Sequence, residues 1–131
     1  MNHRWIILAA GIATLSPTMA LAGIGEELTL AQTHALLAYR SRGVAMAQTH
    51  IHHVLNCLVG PGGDGYDVTP PLMDPCASSG KGALKDATSP AQRDKILAAI
   101  SLAKADLAIT DNEKMQAATT DLADAIGAAK E

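Results

Sequence analysis

Aromatic residues are almost missing from this chain: its 131 residues hold no phenylalanine, one tryptophan and two tyrosines. A core without large rings must be built from Leu, Ile, Val, Met and Ala, and small side chains favour helices whose axes approach closely. The scarcity also argues against base stacking as a mode of nucleic-acid binding. Basic charge is short too, with ten Lys and Arg against thirteen Asp and Glu. Phosphate binding needs a basic face, so nucleic acid is excluded as a partner. No apolar run reaches the roughly 20 residues of a membrane span. The longest candidate, Trp5 to Leu15 ("WIILAAGIATL"), is 11 residues.

That short apolar run follows the basic start "MNHR" and precedes "SPTMALA", which ends in a small-x-small pattern at Ala20-Leu21-Ala22. The order is that of a Sec-type signal peptide spanning residues 1–22, cleaved after Ala22. No twin arginine precedes the run, and no cysteine follows the cleavage site to take a lipid. The expectation is a periplasmic or secreted protein with no membrane span after cleavage. Residues 23–131 then form a single helical-bundle domain. They keep nine basic and thirteen acidic residues, four histidines and both cysteines. An even cysteine count in an exported chain points to a disulfide between Cys57 and Cys76. Closing a loop of that length stabilises by about 3 kcal/mol on the chain-entropy model.

Periodicity predicts four helices. The first runs from about Glu26 to Arg40, with Leu30, His34 and Leu37 as its inward stripe and Ala31, Ala35 and Ala38 beside it. The second is "VAMAQTHIHHVLNCLV", stopped by Gly60-Pro61. The third opens at Ser89-Pro90 and aligns Ile96, Ile100, Ala103 and Leu107. The fourth follows Thr110-Asp111 and turns Met115, Ala118, Leu122, Ala125 and Ile126 inward. Residues 60–89, rich in Gly, Pro, Ser and Asp, read as one long loop that the disulfide folds back. The predicted fold is all-α: an up-down-up-down four-helix bundle with a long disulfide-tethered loop between helices 2 and 3.

Three of the four histidines after residue 22 crowd into "THIHHVLNC". On a helix, Met46, His50, His53 and Cys57 share one face, at spacings of four, three and four. His52 is turned away by about 100° towards Gln48, Thr49 and Asn56. If the chain reverses near residue 42, His34 and His50 each lie eight residues from the turn and stand level. His34, His50 and His53 therefore meet between two helices. Three neutral imidazoles suit a transition metal such as copper or zinc. Met46 and His52 are further candidate ligands, and Asn56 would hydrogen-bond the imidazoles from outside and fix their orientation.

Other chemistries find less support. Cys-x-x-Cys-His is missing, which rules out covalent haem and leaves non-covalent haem as a lesser alternative. "GGDGYD", with Asp64, Asp67 and Asp74, lacks the alternating oxygen ligands of a calcium loop and is read as turns. No carboxylate stands beside the histidines in sequence, and no nucleophile elbow or phosphate loop is present, so the chain is not read as an enzyme. The main rival to metal binding is a non-enzymatic periplasmic interaction or envelope-stress module, with an unknown protein partner and histidines that only pack.

His50-x-x-His53-x-x-Asn56, followed by "GPGGDGYD", resembles a pattern in small, largely uncharacterised exported bacterial helical proteins, over roughly residues 30–85. In that pattern an upstream His-Ala corresponds to His34-Ala35. The resemblance implies that His34, His50, His53 and Asn56 belong together, and it brings no activity with it. The general shape is also similar to periplasmic four-helix metal and haem carriers.

Overall fold

A computed structural model describes residues 23–131. The expected signal segment, residues 1–22, lies outside the described residues. Five helices and no strand occur among them: α1 (Gly23–Arg40), α2 (Val44–Val59), α3 (Ala83–Asp86), α4 (Pro90–Asp106) and α5 (Asn112–Ala129). None is long and apolar enough to cross a membrane.

Local chemistry sets the helix ends. Ser89 Oγ accepts from Gln92 N at 3.1 Å and Pro90 follows at the first helical position, so α4 starts there. Asp111 Oδ1 accepts from Lys114 N at 2.8 Å and starts α5. Gly60 ends α2 with φ +66°. A Cβ on Gly60 would run into Lys81 O, and one on Gly82 (φ +105°) would stand 2.5 Å from Gly60 N. The two glycines thus let the returning loop cross the end of α2 in backbone contact.

One apolar core joins the four long helices. α1 packs against α2 and α5, and α4 packs against α5 and α2. The core face of α1 is Leu28, Ala31, Ala35 and Ala38. This differs from the expected Leu30/His34/Leu37 stripe, because alanine lets the neighbouring backbones approach and pushes Leu37 out to 37% exposure. Ile51, Val54, Leu55 and Leu58 of α2 supply bulk, with Ile96 and Ile100 of α4 and Met115, Leu122 and Ile126 of α5. Ala118, Ala125 and Leu107 are half-buried, and Thr119, whose hydroxyl donates to Met115 O, fills an inward position of α5. Glutamines bridge the helices through backbone carbonyls, Gln32 Nε2 to Ala123 O at 3.1 Å and Gln48 Nε2 to Leu107 O at 2.9 Å.

Residues 60–89 contain α3, a single turn that periodicity does not reveal. α3 lies against α1, α2 and α4. The segment is bonded to α2 by the Cys57–Cys76 disulfide. Such a bridge suits a non-reducing compartment.

Candidate metal centre

α1 and α2 are joined by Ser41, Arg42 and Gly43, a turn short enough to make them antiparallel neighbours. Ser41 Oγ donates back to Leu37 O at 2.9 Å and closes the end of α1. This turn sets the register that puts His34 of α1 opposite α2. His34 Nδ1 lies 3.1 Å from His50 Nδ1 and 3.3 Å from His53 Nδ1. One ligand nitrogen from each ring lies within 4.8 Å of the others. His34 meets His53 edge to face, with ring centroids 4.7 Å apart, and the other two pairs lie at 5.4 and 5.7 Å.

Hydrogen bonding alone does not satisfy this arrangement. A ring nitrogen carries either one proton or one in-plane lone pair. His34 Nδ1 faces two other Nδ1 atoms, so one proton can serve only one of the two contacts. A cation among the three nitrogens would satisfy all of them. At metal–nitrogen distances of about 2.0–2.1 Å, two ligands of a tetrahedral ion are about 3.3 Å apart, close to the separations here.

The protonation states favour ligation. Burial pushes the His34 imidazole down to about 4, and the neighbouring His53 and His50 add to the effect. Burial also lowers His50. His53 is lowered first by burial and then by His50 and His52, while the negative charge of Asp74 acts in the opposite sense. Near neutral pH the rings are therefore uncharged, and a metal need not displace protons from them. His53 is 8% exposed, whereas His34 and His50 are half-buried, so solvent reaches the cluster from their side.

The remaining candidates take other positions. Met46, one turn before His50, is 57% exposed. His52 lies outside the trio and lines a cleft of about 550 Å³ with Tyr66, Asp67 and Lys104. Asn56 is fully buried, but it binds the loop. Its amide donates to Asp67 O at 2.7 Å and Met73 O at 2.8 Å, and its oxygen accepts from Asp67 N at 2.9 Å. None of these three bonds goes to a histidine. Cys57 and Cys76 form a disulfide with Cα atoms 5.1 Å apart, which removes both thiols as ligands.

Two acids matter here that sequence spacing does not pick out. Asp74 is brought beside α2 by the loop, with a carboxylate oxygen within 4.8 Å of the sulfurs of Cys57 and Cys76. Its Oδ1 accepts from Cys76 N at 2.8 Å. An Asp two residues before a bridged cysteine is the one sequence signal for this turn. Glu27 is fully buried at the start of α1, its Oε1 accepting from Gly82 N at 2.6 Å. An acid so near a helix start reads as a surface residue, and only the returning loop covers it. No protein-family model, curated protein or solved structure matches this chain.

Proposed function

We propose that this protein is an exported, non-enzymatic carrier that binds one copper or zinc ion reversibly through the Nδ1 atoms of His34, His50 and His53. On this reading the four long helices form an up-down-up-down bundle, the disulfide tethers the loop, and residues 1–22 direct export. The observation that carries the proposal is the convergence of two Nδ1 atoms on the single in-plane site of His34 Nδ1. Three neutral nitrogens and a solvent-facing side suit capture and release more than permanent structural zinc, which is usually enclosed by four protein ligands. The rings already touch one another, and a porphyrin would have to force them apart, so an ion is favoured over haem.

The test is metal titration of the untagged mature protein, read by elemental analysis and thermal unfolding. Binding of about one equivalent per chain is expected. Free ion at a hundred times the dissociation constant should stabilise by about 2.7 kcal/mol. For a domain of this size that is a rise of roughly 10 °C or more. His50→Ala should abolish both the stoichiometry and the shift. Wild-type protein that neither retains nor is stabilised by copper or zinc would refute the proposal and leave the histidines as a packing seam.

A further inference from the structure

We infer that export processing completes this fold: removal of residues 1–22 frees the α-amino group of Gly23 as a cation that pairs with Asp86 and Glu27 and fastens the start of α1 to α3. The inference rests on the reading of residues 1–22 as a cleaved export signal and is independent of the metal site. Gly23 lies against the returning loop. A Cβ on Gly23 would stand 3.5 Å from Asp86 Oδ2 and 3.6 Å from Ser79 O. The Gly23 nitrogen is bonded to the same Cα, so it lies within about 6 Å of that carboxylate. Ile24, the next residue, packs against the core and fixes this approach.

The carboxyl groups at this place are short of a partner. Glu27 follows Gly23 by one turn on the same face of α1, and helical side chains lean towards the N-terminus. It is 0% exposed, and its Oε2 has no hydrogen-bond partner among the described residues. Its Oε1 accepts from Gly82 N, and Asp86 Oδ2 accepts from Lys81 N at 2.8 Å. A Cβ on Gly80 would lie 2.5 Å from both Asp86 Oδ2 and Glu27 Oε1, so the two carboxyl groups stand side by side. Among the described residues Lys104–Asp64 is the one salt bridge, and neither acid meets a cationic side chain. A buried carboxyl without a partner is costly. A terminal ammonium brings one positive charge and three N–H donors. Asp86 Oδ2, Glu27 Oε2 and Ser79 O are the acceptors at hand. Burial, the first cause that raises Glu27, is unchanged by the new charge. Before cleavage the same nitrogen is an uncharged amide, so the pair belongs to the processed chain alone.

Intact mass of the exported protein comes first, and a chain that begins at Gly23 is expected. A chain that begins elsewhere, or keeps residues 1–22, removes the cleavage reading and the inference with it. Mature protein labelled with 13C-glycine then reports the titration of the Gly23 amine through its Cα shift, by NMR. An unperturbed α-amine titrates at about 7.7–8.0. Pairing should make the Gly23 amine hold its proton about tenfold more tightly, and Asp86→Asn should remove most of that gain. Urea unfolding at about pH 6, below the ordinary amine value, is the second readout, with the amine free or acetylated. Acetylation removes the charge. At a helix start where the ammonium has no partner, acetylation stabilises, because the ammonium opposes the helix dipole. Here it should lower the wild-type midpoint and should not lower that of Asp86→Asn. An ordinary titration of Gly23 in folded wild-type protein, or a wild-type midpoint that acetylation raises, would overturn the pairing while leaving cleavage intact. An equal fall in Asp86→Asn would overturn Asp86 as the partner. Both wild-type readouts stand without any variant, so they decide the matter even where Asp86→Asn does not fold.

Discussion

Asn56 makes three hydrogen bonds from a position with no exposed surface. Asn56→Ala would leave Asp67 N, Asp67 O and Met73 O without their partner. An unsatisfied buried polar group costs about 1–3 kcal/mol, and solvent reaches part of this loop. A loss of about 3 kcal/mol is expected, read as a lower urea midpoint. Spacing alone puts Asn56 one turn after His52, on the side of α2 turned away from His50 and His53, because i, i+4 geometry is local. Its partners lie 11 and 17 residues away, in a loop with no periodicity, so its bonds are not legible in the sequence. The trio is legible for the opposite reason: one short turn at Ser41–Gly43 fixes the register, and His34 and His50 need nothing else to meet.

Among the elements, α2, α4 and α5 carry their boundaries in their own residues. Gly60 stops α2, Ser89-Pro90 starts α4 and Asp111 starts α5. The pattern of α1 points to the wrong face, since leucine outranks alanine in any hydrophobic pattern. Here Ala31, Ala35 and Ala38 are buried because α2 and α5 come close on either side. α3 has four residues, too few for a period to register, and it exists because Gly82 turns the chain across the end of α2. Gly82 is therefore the hinge of the whole returning segment. Gly82→Ala would place a methyl group 2.5 Å from Gly60 N at a φ of +105°. The atoms it meets are all backbone, so no side chain can turn aside to make room. The substitution should destabilise by about 2 kcal/mol or more, since backbone strain of this kind costs of order 1–3 kcal/mol before any clash. Hydrogen exchange should show the loss first in α3 and the start of α1, where Gly82 N meets Glu27.

Across the whole molecule, buried titratable groups pull stability in opposite directions with pH. Burial raises Glu27 to about 7, with the Gly82 N–H opposing, and the charges of Asp86 and Asp74 and a hydrogen bond with Asp86 add to the rise. Asp106, raised first by burial and then by the charge of Asp121, reaches about 6. An acid raised in the folded state contributes stability that is full below its unfolded value and lost as pH climbs through the folded one. For Glu27 that window runs from 4.5 to about 7, and for Asp106 from 3.8 to about 6. His34 behaves in the reverse sense: its contribution is full above 6.5 and lost as pH falls through about 4. The windows overlap and oppose one another, so the urea midpoint of the metal-free protein between about pH 4.5 and 7 reflects the difference between them. Glu27→Gln breaks the balance. Gln keeps the acceptor for Gly82 N and has no charge to bury. The variant should match wild type at about pH 4.5 and exceed it at about pH 7, so that its midpoint rises across the interval. His34→Gln should give the opposite slope, falling from about pH 4.5 to 7, because the raised acids then dominate the titration. Equal slopes in the two variants would show that neither group sets the pH response of the fold.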